Sequence, residues 1–302
     1  MGCWGIRPEL IGIIDACRIG DDGFGYGGLA EYNSFNNVVW RNDPDHIELT
    51  PQDAYKSCMV TSLTGSLFML TDKPEVYHTE IAEAAKRTMP ILFTRPGQVY
   101  EVDPSRIVNL DKADTEVSGG GPRSFDADQQ EYCHLYLMEI NKEFENWMVL
   151  GRTGGEIEEL GFTDLGSDND KEYLVFEFWT KTFLGVFREK FEFPHIDTTY
   201  KCQALCIRER QGHPQVLATN RHVSCGGYDL ESVKWDNNIL SGSSLMVGND
   251  QYDIYIYEPE GYEFSNIVCN GAEVLGNKKE GGIRIISLFR EENGSVSWKL
   301  LY

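Results

Sequence analysis

The hydrophobic pattern of this chain changes once, at Arg95-Pro96-Gly97, and that change limits the folds open to it. Before it, short apolar runs alternate with helical stretches. After it come runs rich in aromatic and β-branched residues, at 133–140, 147–150, 173–178, 183–193, 202–207, 215–218, 244–247, 252–257, 283–289 and 295–300. Turn residues such as Gly212, Gly226-Gly227 and Asn293-Gly294 separate them. Short strands with turn signals between them are the pattern of an antiparallel β-sandwich. Residues 110–130 are polar and contain Gly119-Gly120-Gly121-Pro122, which reads as a loop. A chain of 302 residues is long enough for two ordinary domains. We therefore expect one domain over residues 1–95 and a second, all-β, over 96–302.

The first part reads differently. Thr50-Pro51-Gln52-Asp53 predicts a helix start, with Thr50 as N-cap and Pro51 in the first turn, and the helix runs to about Leu63. Residues 65–70 predict a short buried strand, and Lys73-Pro74 opens a second helix that ends before Pro90. Gly23 to Gly28 reads as a loop. Strand and helix alternate here as in βα units. About three units fit, whereas a closed barrel needs eight. Two apolar runs, 11–14 and 38–40, precede the clusters Cys17-Arg18-Ile19-Gly20-Asp21-Asp22-Gly23 and Trp40-Arg41-Asn42-Asp43-Pro44-Asp45. An apolar run ending in carboxylates and arginine is what the C-terminal end of a parallel barrel strand looks like. Carboxylates gathered there can hydrolyse a glycoside, one attacking and one protonating the leaving oxygen. Two polar loops after buried strands are the plain structural alternative.

Arg18-Ile19-Gly20-Asp21-Asp22 resembles the Arg-x-x-x-Asp signature ending the sixth barrel strand of α-galactosidases, the melibiase clan of glycoside hydrolases. Trp40-Arg41-Asn42-Asp43-Pro44-Asp45 resembles that family's Trp-Asn-Asp-Pro-Asp after strand seven, with Arg41 inserted. Cys3-Trp4-Gly5 resembles the Cys-x-Trp-Gly that ends strand five, one residue short. The partial motifs stand in the family's order, which makes them more specific together than singly. The resemblance implies Asp22 as general acid/base, Arg18 as the residue supporting it and the sugar, and Trp4 and Asp43 as site walls. Adjacent Asp21 and Asp22 raise each other's pKa, as a general acid needs. For Asp43 and Asp45, substrate contact and loop capping are equally open readings. The implied fold is the C-terminal portion of a (β/α)8 barrel, about strands five to eight, followed by an antiparallel β-sandwich. The implied partner is an α-galactoside, hydrolysed with retention by the whole enzyme and with no metal or cofactor. The family's nucleophile sits in a Lys-x-Asp motif upstream of the acid/base, and only 21 residues precede Asp22. The expectation is a fragment, inactive alone, with apolar residues Ile11, Ile13 and Val39 uncovered and available for self-association. A non-catalytic carbohydrate-binding or structural β-module is the alternative.

Charge supports a neutral ligand. The net charge is −21, from 27 Lys and Arg against 48 Asp and Glu, and the basic residues do not cluster. Nucleic acid needs a basic face, and an anionic membrane surface does too. No apolar run approaches the roughly 20 residues of a membrane span. Met1 leads directly into Gly2-Cys3-Trp4, without the basic and apolar regions of a secretion signal. The eight Cys are scattered rather than arranged as a disulfide framework. Cys202 and Cys206, in one strand, lie roughly 13 Å apart, too far to bridge.

Other residues invite functional readings. Lys234-Trp235-Asp236 matches Lys-x-Asp but falls in the β-rich region, far from Asp22. Residues 213–222 resemble a stretch in the C-terminal domain of some bacterial members, which makes Arg221-His222 a structural turn rather than a catalytic pair. Trp147, Trp179 and Trp235 could stack on a sugar, but they lie in strand patterns and read as core.

Overall fold

A computed structural model describes residues 2–4, 8–19, 23–94, 99–101, 135–154 and 157–302. The chain is mostly β-strand, in several antiparallel sheets and one short parallel sheet, with few helices. It forms two compact units. One holds Met1–Glu139, Leu150–Leu160 and Glu192–Ala204; the other holds Ile140–Val149, Gly161–Phe191 and Leu205–Tyr302. The expected boundary at Arg95-Pro96-Gly97 and the expected loop at 110–130 lie outside the described residues.

In the first unit, β1 (Gly2–Trp4), β2 (Ala16–Arg18) and β3 (Arg41–Asp43) form a parallel sheet in that order. The apolar run 11–14 is a turn and not the strand expected there. Gly12 takes a left-handed φ of 78°, and Ile11 and Ile13 are 51% and 75% exposed. The strand starts at Ala16, where burial starts. Residues 65–70 run beside β3 without becoming a strand. Leu67 N–H donates to Asn42 O at 2.9 Å, and Ile47 and Leu70 form an isolated parallel bridge. Between those contacts Pro44 has no N–H to give, and Asp45 has φ 74°, so the ladder breaks.

Three α-helices support this sheet. α1 (Tyr26–Glu31) begins inside the expected Gly-rich loop. Gly28 lets the helix close on β2, for a Cβ there would meet Ile19 O at 2.1 Å. α2 (Ala54–Thr64) starts later than Pro51. Thr50 closes a turn instead, accepting Asp53 N–H on Oγ1 at 3.2 Å. The helix has little polar face; Ser57, Thr61 and Thr64 turn their hydroxyls back onto its own carbonyls. It ends in a Schellman arrangement, with Gly65 left-handed, Gly65 N–H on Ser62 O and Ser66 N–H on Thr61 O. The second helix expected after Lys73-Pro74 is divided. 3-10 turns cover Pro74–His78 and Glu80–Ala82, extended Thr79 separates them, and only α3 (Glu83–Thr88) is α-helical. Ser62 Oγ donates to Thr88 O and joins α2 to α3. β4 (Val99–Glu101) pairs antiparallel with β5 (Leu135–Asn141).

β6 (Asn146–Arg152), β7 (Glu159–Gly161), β8 (Glu172–Glu177), β9 (Thr182–Arg188), β10 (Lys190–Glu192) and β11 (Gln203–Glu209) follow. Within the second unit β8 lies between β9 and β11, antiparallel to both. The run expected at 183–193 is two strands, because Glu189 takes φ 65° between them. β12 (Gln215–Thr219), β13 (Leu230–Asp236), β14 (Ile239–Met246), β15 (Tyr252–Tyr257), β16 (Asn266–Asn270), β17 (Glu273–Glu280), β18 (Ile283–Phe289) and β19 (Gly294–Leu301) complete the chain. They form sheets ordered β12-β15-β18-β17 and β13-β14-β19-β16. Ile254, Ile256, Ile286 and Leu288 are fully buried in the first; Leu240, Val296, Trp298 and Leu300 are buried in the second. Among the described residues no helix is long and apolar enough to cross a membrane.

Candidate functional site

Parallel pairing sets three of the residues singled out in the sequence level with one another. Trp4 pairs with Arg18, and Arg18 pairs with Asp43, each at the C-terminal end of its strand. Side chains alternate along a strand, so Arg18 and Asp43 leave one face, with Arg41 and Ala16 earlier on the same face. Cys17 and Asn42 enter the opposite face, where both are buried. Amide bonds fix β3 from that buried side. Asn42 N–H donates to Asn36 Oδ1 at 2.8 Å and Asn42 Nδ2 to Tyr32 O at 2.9 Å. Trp40 Nε1 donates to Asn42 Oδ1 at 3.2 Å, and the indole stacks on Phe35. The amide and the indole thus hold the register that brings Asp43 level with Arg18.

Beyond this rung Pro44 is buried and Asp45 turns back, in a left-handed conformation that Asp adopts more readily than most residues. The Asp45 carboxylate takes an ion pair from the Arg18 guanidinium, Gly23 N–H at 2.7 Å and a contact with His46 Nδ1 at 3.1 Å. Asp45 N–H in turn donates to Asp43 Oδ1 at 2.9 Å, and Ile19 N–H donates to Asp43 O at 3.1 Å. Residues 19 and 23 are therefore both fastened to 43–45. Asp21 and Asp22, the expected acid/base among them, lie between those anchors in sequence and outside the described residues. Burial pushes Asp45 up, but hydrogen bonds from Gly23 and His46 and the charge of Arg18 outweigh it and hold the carboxyl below its ordinary 3.8. At neutral pH Asp45 is a counter-ion and acceptor rather than a proton donor. The sequence reading chose Asp43 over it. The signal available was the Asp-Pro-Asp spacing, since a proline between two acids turns the second away from the strand direction.

The other residues noted in the sequence are elsewhere. Asp236 is exposed on β13 in the second unit, 3.3 Å from Lys234 Nζ. His222 is fully buried, with Nδ1 2.8 Å from Ser224 Oγ, in a turn. Trp147 and Trp179 are buried; the Arg208 guanidinium lies 3.3 Å from the Trp147 ring centroid. Trp235 is half-buried and stacked on His213. Cys17, Cys58, Cys202, Cys206, Cys225 and Cys269 are free thiols. Among the described residues no group of three or more His, Cys, Asp or Glu is arranged to hold a metal.

No protein-family model and no curated protein matches this chain. Solved structures do. A GH27 β-L-arabinopyranosidase from Geobacillus stearothermophilus is similar at 9% identity and a TM-score of 0.38, over 66% of this chain and 46% of that one. α-Galactosidase I from Mortierella vinacea is similar at 12% identity and a TM-score of 0.38, over 65% and 53%. The D197A variant of the arabinopyranosidase, in complex with arabinose, matches at 9% identity and 0.38 over 64% and 45%. The chain spans about half the length of these structures.

Asp45→Asn is expected to lower stability at pH 7 by about 1.5–3 kcal/mol, the range for hydrogen bonds to a charged group. The folded carboxyl titrates below the unfolded value of 3.8, so its contribution is complete above about pH 4 and is lost as pH falls through the folded value. Urea denaturation of both proteins should show their difference closing in acid; a difference independent of pH contradicts the assignment.

Proposed function

We propose that the ends of β1, β2 and β3 form part of the sugar-binding and acid/base wall of a retaining glycoside hydrolase of α-galactosidase type. One observation carries this reading: Trp4, Arg18 and Asp43, named from separate motifs, share one rung, with Asp45 fastening Arg18 to the chain on the far side of Asp22. In this reading residues 1–95 are part of a (β/α)8 barrel and residues 96–302 carry a β-sandwich.

Asp22 would protonate the departing glycosidic oxygen and then take a proton from the attacking water. Arg18, its charge oriented by Asp45, would support Asp22 and a sugar hydroxyl. Asp43 would accept from another hydroxyl, with Trp4 at the other end of the rung, across Arg18. Retention also needs a nucleophilic carboxylate about 5–5.5 Å from the acid/base. This reading does not use Asp236, which is exposed beside Lys234 on β13. In this reading the ends of β1, β2 and β3 supply the acid/base side of the reaction, and the nucleophile is not among the residues assigned.

Two tests follow from this reading. The chain alone should bind methyl α-D-galactoside with a dissociation constant on the order of 1 mM. It should release no nitrophenol from p-nitrophenyl α-galactoside, and Arg18→Met should remove the binding. Turnover that depends on Asp22 would mean the nucleophile has been misassigned. Failure to bind any galactoside would sink the sugar-site reading, while binding of unrelated glycans at the second unit would favour a non-catalytic module. The exposed Ile11 and Ile13 should drive two copies together, giving a sedimentation mass above 34.3 kDa that Ile11→Ser with Ile13→Ser returns to the monomer. An unaltered chain that is already monomeric contradicts this.

A further inference from the structure

Two buried thiols of the second unit meet. Cys206 lies on β11 and Cys225 in the turn that follows β12, and both are fully closed off from solvent. Several contacts place them together. Leu217 is the extra residue of a bulge in β12, since Val216 pairs with Ile256 and Ala218 with Tyr255. Its carbonyl accepts the Cys206 thiol at 3.3 Å. Two residues further along β12, Thr219 N–H donates to Cys225 O at 3.1 Å. The Cys225 side chain is hydrogen-bonded to that of Cys206. Both thiols lie within electrostatic reach of Arg208, two positions beyond Cys206 on β11.

A structural role accounts for either cysteine alone, because a buried thiol packs as a small hydrophobe. It does not account for the effort spent on placing the second one. Cys225 is held left-handed, at φ 57°, which a residue with a Cβ adopts only when its surroundings fix it there. Cys225 N–H donates to His222 O at 2.7 Å and its thiol donates to Val223 O at 3.3 Å. Those bonds close the turn and hold the sulfur against β11. Burial, and then the neighbouring Cys206, push the Cys225 thiol well above its ordinary 9.0. The thiolate is the species that attacks a disulfide, so the folded pair stays reduced until a local opening admits an oxidant.

We infer that Cys206 and Cys225 are a disulfide site, and that their oxidation joins β11 to the turn after β12. The inference does not depend on the sugar-site reading. The co-reactant is a small disulfide, such as oxidised glutathione. One protein thiolate attacks a sulfur of it, forming a mixed disulfide and releasing one glutathione thiolate. The second protein thiolate attacks the protein sulfur of that mixed disulfide, and the second glutathione thiolate leaves. Two protein thiols are oxidised, one glutathione disulfide is reduced to two thiols, and the two protons pass to the departing sulfurs. The bond closes the loop 206–225. Closing a loop of that size constrains the unfolded chain enough to raise the melting temperature by roughly 5–10 °C.

The test equilibrates the full, reduced chain with reduced and oxidised glutathione in urea just below its unfolding midpoint. The urea is then removed, the remaining thiols are alkylated, and the peptides are mapped by mass spectrometry. Fragmentation resolves Cys206 from Cys202, which share the tryptic peptide ending at Arg208. The expected product is a cross-link between Cys206 and Cys225 that lacks two hydrogens. Its melting temperature should be higher by the amount above and should fall back with dithiothreitol. In Cys225→Ser, Cys206 should be alkylated and the dithiothreitol-sensitive shift should vanish. Alkylation of both Cys206 and Cys225 in the unaltered chain overturns the inference, as does pairing of either with another cysteine. A cross-link that fails to raise the melting temperature means that the native fold does not bring the two sulfurs to bonding distance, and also overturns it. A shift that persists in folded Cys225→Ser belongs to another pair and counts against it in the same way. If Cys225→Ser does not fold, the mapped bond and its thermal shift in the unaltered chain decide alone.

Discussion

The site depends on one ion pair. Asp45 is the only described acid joined at once to the guanidinium of β2, the N–H of Gly23 and, through its own N–H, the carboxylate of Asp43. Removing its charge would take from Arg18 the ion pair that Asp45 supplies and release the chain at Gly23. Loss of one partner of a partly buried pair costs stability because the other stays desolvated with less to compensate it. The parallel register makes the pair possible. It needs Arg18 and Asp43 level, and the buried Asn42 and Trp40 hold β3 in that register from behind.

The residues proposed for the site stand out in the sequence, but their connections do not. Arg18, Asp43 and Trp4 stand in recognisable clusters, whereas the ion pair of Arg18 with Asp45 spans 27 positions and depends on the left-handed turn at Asp45. Apolar runs were a poor guide to the first strands. Ile11 to Ile14 looked like a strand and is a turn, because Gly12 breaks it. Thr50-Pro51 looked like a helix start and is a turn before one. In the second unit the long apolar strands were legible and the exposed ones were not. β17 has almost no buried residue and carries Lys278, Lys279 and Glu280. It is the end strand of its sheet, where charge discourages further pairing. β13 and β16 each have one face in solvent and only a weak alternation.

The second unit is held by buried polar groups as well as by its apolar core. Arg208 is fully buried against Trp147 and paired with Glu145. Asp229, fully buried, accepts from Tyr252 and Thr219 at 2.6 and 2.8 Å; burial raises its pKa more than those donors lower it. Glu258 gathers Arg284, Lys279 and the Tyr302 hydroxyl. These groups bond one another inside the fold, while Asp229 Oδ1, Glu145 Oε1 and Arg208 Nε have no hydrogen-bond partner among the described residues; the bonds of His222 and Asp229, suggestive by type, are to groups of this same unit.

The central claim is that a sugar meets the chain at the ends of β2 and β3. Amide hydrogen exchange, with and without a saturating galactoside, tests it most directly. The account predicts added protection in peptides covering residues 16–26 and 40–46, and little change elsewhere. Protection confined to the second unit, or no protection under conditions where binding is measured independently, would contradict it.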